Sequence, residues 1–355
     1  MSSKLRVGVL FGGRSGEHEV SLMSVQSVLN ALDKTRYDIA CIGIDRTGRW
    51  IFENDPLEQL VCGGSAPEDA PLWPSPEHFA DLDLLLPVLH GTYGEDGTLQ
   101  GFLDLAGIPY VGCGVLASSL AMDKAVSRML FEGHGLPQTP WEVVFREKWE
   151  SEPMVELDRL ETSLTYPMFT KPANLGSSVG ISRADDRAEL GAGIDEAARY
   201  DRKIVIEQGV PNAREIEVSV LGNDDPIASI PGEIIPSNAF YDYAAKYLDG
   251  ASRARIPAPI TPEQTQAIQD MAVRAFRAVD GSGLARADFL LDDSSGEIFL
   301  NEINTMPGFT SISMYPKLWE ASDLPYPQLI DRLIELALER HAQITRNQHT
   351  YDSNA

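Results

Sequence analysis

The sequence predicts an α/β fold of two or three domains, and three observations carry that prediction. A buried-strand run, Val7-Gly8-Val9-Leu10-Phe11, passes at once into the turn Gly12-Gly13-Arg14-Ser15-Gly16-Glu17 and then into a helical pattern from about Val20 to Leu32. Strand, glycine turn and helix in that order open a doubly wound parallel sheet. Further on, short strands and one helix mix without βαβ regularity, which reads as an α+β module. Near the end, two apolar alternating runs, 285–291 and 298–304, flank the polar turn Asp292-Asp293-Ser294-Ser295-Gly296-Glu297, a hairpin signal. At 355 residues the chain exceeds one ordinary domain.

In chain order, Tyr37–Ile44 reads as a second strand, and residues 53–81, rich in Pro, Gly, Glu and Asp, as a long surface loop. Leu82–Leu89 is a strongly apolar strand ending in His90-Gly91, followed by a helix over Leu99–Ala106. The first module closes near Ser119. Met122–His134 reads as one helix, and Tyr166–Lys171, Val179–Arg183, Ile204–Glu207 and Glu215–Leu221 as strands, with a helix over Arg187–Ala198. Residues 231–257 are Pro- and Tyr-rich and long for a connection, which suggests a functional segment. Thr261 is placed to cap a helix over Pro262–Val279. After the hairpin and a Gly/Ser/Thr-rich loop comes an amphipathic helix over Tyr326–Arg340, then a polar tail from Ala342 that reads as frayed.

Composition narrows the function. Hydrophobic content of 43% and charged content of 23% are those of a soluble globular protein. The net charge of −24 argues against nucleic acid or an anionic membrane as the main partner. A local cationic pocket can still hold an anionic nucleotide. Cys41, Cys62 and Cys113 have neither paired nor metal-type spacing and suit a reducing compartment. With no signal-peptide pattern at the start and no apolar run of spanning length, a cytoplasmic protein is expected.

The hairpin carries the strongest chemical signal. Folded about Ser295, Asp288 lies opposite Glu302 and Arg286 opposite Asn304, and period-2 geometry puts all four on one face. Opposed carboxylates repel in a plain sheet. A cation removes that cost, and Asp, Glu and Asn offer the hard oxygens that Mg²⁺ takes when it also holds substrate phosphates. A charged strand face in water is the competing reading. Lys171-Pro172-Ala173-Asn174-Leu175-Gly176-Ser177-Ser178-Val179-Gly180 follows a strand and could bring backbone N–H groups and the Lys171 charge to phosphate oxygens, though it lacks the Walker A order. A plain hairpin turn reads the same way. Lys124 opens a helix, and Glu207 ends a strand that could face an adenine and ribose. His90 sits at a strand end where open α/β sheets bind ligands, or simply caps. The turn at Gly12 has the wrong glycine order for a dinucleotide, and Asp45 is the only candidate acid for a ribose. Phe240–Tyr247, with three tyrosines and a lysine, could close over a site and exclude water.

Taken together these motifs resemble the D-alanine–D-alanine ligase family of the ATP-grasp superfamily. The ordered set is Gly12-Gly13-x-Ser15-x-Glu17-x-Glu19-Val20-Ser21, His90-Gly91-x-x-Gly94-Glu95-Asp96-Gly97, Met122-Asp123-Lys124, Lys171-Pro172…Gly176-Ser177-Ser178-Val179-Gly180 and Tyr241-Asp242-Tyr243-x-x-Lys246-Tyr247, closing with Arg286-x-Asp288 and Asn301-Glu302-Ile303-Asn304-Thr305-Met306-Pro307-Gly308-Phe309-Thr310. It runs in order from about Lys4 to Arg340.

The resemblance implies a three-domain ATP-grasp architecture: an N-terminal domain over 1–121, a central subdomain over 122–212 and a C-terminal subdomain over 213–342 carrying a lid loop at 236–250, with a tail over 343–355. ATP would lie between the last two domains. Two Mg²⁺ ions, replaceable by Mn²⁺, would be held by Asp288, Glu302 and Asn304. Lys124, Lys171 and Lys246 would contact ATP phosphates, and Glu207, Val210 and Glu215 would line the adenine and ribose site with Phe169 against the base. Ser177, Ser178, Phe240 and Asn301 would complete the nucleotide site. Glu17, beside Val20 and near His90, would bind the first D-alanine's ammonium. Arg286 and the Gly308 N–H would cradle the oxyanion, and Ser313 with the Met314 backbone would hold the second carboxylate. Tyr247, Ser177 and Glu17 would form a hydrogen-bonded trio under the lid. Leucine is more usual than methionine at position 314. The tyrosine-rich lid favours the dipeptide product over D-alanyl-D-lactate; D-alanine–D-serine and D-alanine–D-lactate ligation and a non-catalytic regulator are the competing readings. A homodimer is implied by the resemblance alone.

Overall fold

A computed structural model describes residues 4–235, 253–310 and 312–348. Its first sheet contains β1 (Leu5–Gly12), β2 (Tyr37–Ile44), β3 (Trp50–Ile51) and β4 (Leu84–Val88), in the order β3-β2-β1-β4. β1 runs parallel to both β2 and β4. Its residues from Val7 onward are all buried, as a parallel strand covered on both faces must be. The helix His18–Ala31 follows the glycine turn as expected.

The middle module places β5 (Trp141–Phe145), β6 (Met168–Pro172), β7 (Ser182–Ala184) and β8 (Lys203–Gln208) in the antiparallel order β5-β8-β6-β7. Burial alternates along β6, so Met168 and Thr170 face the core while Phe169 and Lys171 face away. Glu207 pairs directly with Phe169 and shares that outward face. The third sheet contains β9 (Ala213–Gly222), β10 (Ile227–Ala228), β11 (Gly232–Ile235), β12 (Arg253–Arg255), β13 (Gly283–Asp292) and β14 (Ile298–Asn304), with the path β12-β11-β9-β13-β14.

Several expectations are corrected. The helix expected over Met122–His134 is present as Lys124–Gly133, and a separate helix that was not expected, Val115–Met122, precedes it. Asp123 separates them because its carboxylate accepts the Ala125 and Val126 N–H groups and caps the second. The strand expected at 179–183 begins only at Ser182, since Ser177, Ser178 and Gly180 turn the chain through positive φ. The loop over 53–81 contains a short helix, Pro56–Val61, capped by Asp55. β5 and the helices Arg146–Ser151 and Pro153–Ser163 were not expected. The last helix runs on to Ile344. It does not stop at the edge of its own module: Leu329, Leu333 and Ile334 share one buried cluster with Val7, Phe11, Leu84 and Leu86. Thr261 does cap Pro262–Ala278, in a reciprocal box with Gln264.

Candidate active site

A cavity of about 260 Å³ opens where the three modules meet. The first contributes Glu17, His90 and Glu95; the second Lys124, Gly176 and Ser177; the third Arg286, Glu302, Asn304, Gly308, Ser313 and Met314. Residues from position 17 to position 314 thus converge on one space.

The N-terminal wall is fixed by backbone hydrogen bonds. Ser15 Oγ donates to the His90 carbonyl at 2.6 Å and accepts the Glu17 N–H at 3.1 Å, tying the glycine turn to the end of β4. Ser177 Oγ donates to Glu17 Oε1, joining the first module to the second. Glu17 Oε2 is turned the other way: a Cβ on Gly91 would meet it at 2.5 Å, and Gly91 also has φ +75°, so only glycine fits there. Glu95 Oε1 accepts the Gly91 N–H at 3.0 Å. Burial, and after it the Glu17 charge, push Glu95 up to about 8. His90 is fully engaged. Its Nδ1 lies 3.1 Å from the Met306 carbonyl, which can only accept, so that nitrogen carries the proton; Nε2 then accepts from Ser24 Oγ at 3.0 Å. Burial lowers its pKa against the Glu17 charge and the Met306 carbonyl, which raise it, and the ring acts as a neutral clamp between β4 and the loop after β14.

The hairpin has the register read from the sequence: Arg286 opposes Asn304 and Asp288 opposes Glu302. A bulge follows directly, because Phe289 pairs with Leu300 and leaves Asn301 as the extra residue. Leu300 and Ile303 therefore both reach the core, three residues apart, while Asn301 and Glu302 lie outside it. The opposed carboxylates are screened by Arg286, which the sequence put on the same face, and by Lys124, which it did not place there. Arg286 grips Asp288 with Nε–Oδ1 2.7 Å and Nη2–Oδ2 2.6 Å, and Lys124 Nζ lies 3.8 Å from Glu302. Glu217, opposite Asp288 on β9, adds a third carboxylate to the row, 3.2 Å from Arg286. Burial opposes the charge on Arg286, but Asp288 and Glu217 outweigh it and raise its pKa.

Among the described residues no three His, Cys, Asp or Glu side chains form a metal cage by themselves. The donor set of two carboxylates and the Asn304 amide instead fits a hard cation completed by phosphate and water oxygens.

Lys171, Glu207, Phe169 and Asp288 do not line this cavity, and the first three stand beside it on the outward face of the middle sheet. Lys171 Nζ donates to Glu207 Oε2 at 2.6 Å and to Asn301 Oδ1 at 3.3 Å. Glu207 Oε1 is held by Arg128, with Nε at 3.1 Å and Nη2 at 2.9 Å. Burial raises the Glu207 pKa, but Arg128 and then Lys171 outweigh it and keep the carboxyl below its usual range. Phe169 packs at the strand crossing, 2.8 Å from where a Cβ on Gly209 would stand. Lys124 Nζ also donates to the Leu175 carbonyl at 2.8 Å, fixing the loop that carries Ser177 and Ser178. Both serines have positive φ, 53° and 59°, a conformation uncommon for serine and typical of functional turns.

The remaining expected residues divide: Ser313 and Met314 line the cavity, and Val20, Val210 and Glu215 do not. Val20 is buried. Val210 follows β8, and Glu215 lies on β9 opposite Ile234. Ser313 precedes the helix Met314–Glu320, its Oγ accepting the Thr310 N–H at 3.1 Å. The Met314 side chain packs with Ile234 and Leu318. Asp45 is spoken for by the N–H groups of Thr47, Arg49 and Ala66, which removes the one candidate for a dinucleotide ribose. Phe240, Lys246 and Tyr247 lie outside the described residues. Arg128, Glu217 and Glu95 were not singled out. Two signals were there: Arg128 is one helical turn beyond Lys124, and Glu217 is two strand positions beyond Glu215.

Comparisons with known proteins agree with this geometry. Residues 6–113 match the family described as D-ala D-ala ligase N-terminus, and residues 130–335 match D-ala D-ala ligase C-terminus. The D-alanine–D-alanine ligase of Heliobacterium modesticaldum is 53% identical over 361 aligned residues, which cover 97% of each chain. The solved D-alanine–D-alanine ligase of Coxiella burnetii has a TM-score of 0.81 at 36% identity and covers 97% of both chains. VanG D-Ala:D-Ser ligase from Enterococcus faecalis has a TM-score of 0.83 at 36% identity, covering 94% of this chain and all of that one. On the two family matches and the near-complete relative, this chain belongs to the D-alanine–D-alanine ligase family, with its ATP-grasp fold.

Proposed function

We propose that this enzyme joins two D-alanine molecules to D-alanyl-D-alanine, with ATP converted to ADP and phosphate, as a step toward peptidoglycan precursors. The observation that carries the reading is the convergence on one cavity of the Glu17–Ser177 pair with Lys124, Arg286, Glu302 and Asn304. A carboxylate is a poor electrophile and must first be phosphorylated. Phosphoryl transfer requires little covalent help from a protein beyond positioning and neutralisation of charge. Lys124, Lys171 and Lys246 act on the phosphates, with Ser178, Asn301 and Phe240 beside them, and Glu207, Val210, Glu215 and Phe169 take the adenine and ribose. Divalent metal, as two Mg²⁺ or Mn²⁺ ions at Asp288, Glu302 and Asn304, supplies further charge neutralisation at the transferred group.

Glu17 receives the first substrate's ammonium on Oε2, since Ser177 occupies Oε1. Once the acyl phosphate has formed, the second amine attacks it. Arg286 and the Gly308 N–H stabilise the developing oxyanion, and Ser313 and the Met314 N–H hold the second carboxylate. The segment 236–250, through Tyr247, closes over the site and keeps water from the acyl phosphate. The domain division at 121 and 212, a homodimer and a cytoplasmic location belong to the same proposal. No helix among the described residues is long and apolar enough to cross a membrane. ADP release measured with D-alanine alone and with D-serine or D-lactate added tests the reading. Turnover with D-alanine alone is expected; release only when D-serine or D-lactate is present would transfer the assignment to those ligases. Light scattering giving a monomer mass would remove the dimer.

A further inference from the structure

Arg128 is among the most deeply buried large side chains of the molecule, 2% exposed, and nothing in the reaction as derived above uses it. It stands one helical turn beyond Lys124, on the helix Lys124–Gly133. Its guanidinium holds Glu207 Oε1 through Nε and Nη2, and Nη1 reaches Gln138 Oε1 at 3.4 Å and the Thr139 carbonyl at 3.5 Å. Gln138 Nε2 in turn donates to the Arg128 carbonyl at 2.8 Å, so the arginine is locked at both ends. Glu207 gives its other oxygen to Lys171. One buried carboxylate is thus divided between two cations, one sealed in the interior and the other at the nucleotide wall.

We propose that Arg128 is a positioning residue for ATP: by taking half of Glu207, it keeps Lys171 from being neutralised and leaves one positive charge for the phosphates. The proposal rests on the assignment of Lys171 to the ATP phosphates. With Arg128 present, the cluster carries one net positive charge. Without it, Glu207 and Lys171 form a closed, neutral pair, and a phosphate must compete with a buried carboxylate for the ammonium. A buried ion left without its partner is costly, and the remaining pair would tighten to offset that cost. Mere filling of space by Arg128 would have no such effect on the charge of Lys171.

The test uses the whole enzyme and five variants: Arg128→Met, Arg128→Lys, Glu207→Gln, Lys171→Met, and the double variant Arg128→Met with Glu207→Gln. KM for ATP, kcat at saturating D-alanine and the thermal midpoint are measured for each. Arg128→Met is expected to raise KM for ATP on the order of tenfold, with a smaller change in kcat, the signature of lost ground-state binding. Arg128→Lys, which keeps the charge, should stay within about threefold of wild type. Glu207→Gln alone reports whatever contact Glu207 itself makes with the nucleotide, and the double variant should have nearly the same KM for ATP as Glu207→Gln, because with the competing carboxylate gone the loss of Arg128 no longer matters. If Arg128→Met lowers kcat and the midpoint while KM for ATP stays unchanged, or if it raises KM for ATP as much in the Glu207→Gln background as in the wild type, Arg128 is structural only and the proposal falls. If Lys171→Met leaves KM for ATP unchanged, the phosphate assignment of Lys171 fails first and takes the proposal with it, an outcome distinct from the other two.

Discussion

The two ionic clusters beside the cleft have opposite balance among the described residues. On the hairpin side, Glu217, Asp288 and Glu302 stand in register across β9, β13 and β14 with Arg286 and Lys124 as their described cations, three carboxylates to two. On the middle-sheet side, Arg128 and Lys171 share Glu207, so cations are in excess. Neither excess is explained by folding stability, since a balanced buried pair costs less than an unbalanced one. An anionic wall facing a cationic one is what a metal–nucleotide complex requires: one side takes the metal, the other the phosphates. This local division also shows why the overall charge of −24 says little about the site.

The largest expected effect breaks the anionic wall. Glu302→Gln keeps the side chain's shape but removes one of the charges facing Lys124, and turnover should fall by at least about a hundredfold, since charge stabilisation by a bound metal accounts for several kcal/mol. The fold, followed by circular dichroism, should be unchanged. Near-normal ligation by well-folded Glu302→Gln protein would remove the metal assignment. Lys124 touches both walls, through Glu302 and through the Leu175 carbonyl. Lys124→Met should therefore raise both the ATP and the Mg²⁺ concentrations needed for half-maximal rate, whereas Lys171→Met should raise only that of ATP. Identical shifts in the two variants would mean that the walls are not separate.

How much of this was legible in the sequence differs between the walls. The hairpin was readable because both strands alternate around a polar turn, but the Asp288–Glu302 pairing does not follow from counting. At the turn Leu291 pairs with Ile298 and Phe289 with Leu300, a centre between Ser294 and Ser295 that would set Asp288 opposite Asn301, and the bulge shifts it to Glu302. The bulge at Asn301 was not readable, because it depends on Leu300 and Ile303 both finding core space, a tertiary fact. The middle wall was less legible. Lys171 and Glu207 were singled out, yet Arg128 looks like any charged residue on an amphipathic helix until Glu207 is placed beneath it. The glycine turn and His90 were correctly located, but the neutral clamp made by His90 depends on the Met306 carbonyl, 216 residues away in sequence.

The seam between the walls gives a smaller effect. Ser177 joins the loop after β6 to Glu17, and the Ser177→Ala variant loses a hydrogen bond to a charged group, about 1.5–3 kcal/mol. Turnover should drop roughly ten- to a hundredfold, and the KM for D-alanine should move more than that for ATP. Wild-type kinetics in Ser177→Ala would reject the pairing.

The smallest effect concerns the ligand-free protein and the acid behind Glu17. Glu95 is 8% exposed, faces Glu17 across the Gly91 and Gly176 backbone, and has Lys124 and Glu302 as its other charged neighbours. Burial and the Glu17 charge raise it from an ordinary carboxyl value of 4.5 to about 8. The sign follows from linkage: between those values the folded state binds more protons than the unfolded state, so stability falls as pH rises. The contribution of the protonated Glu95 is fully present below 4.5 and lost as pH passes about 8. Glu95→Gln keeps an oxygen for the Gly91 N–H but cannot ionise. Its thermal midpoint, followed by tryptophan fluorescence without ligands from acid to mildly alkaline pH, should match wild type at the acid end. It should exceed wild type by a few degrees at the alkaline end, because the variant avoids two buried negative charges side by side. Titrating groups remote from Glu95 are common to both proteins and cancel in the difference, so what remains belongs to Glu95 and the Glu17 carboxylate it faces. Midpoint curves that run parallel across the whole range would show that Glu95 ionises normally, and that the acid half of the cleft tolerates its charge without substrate.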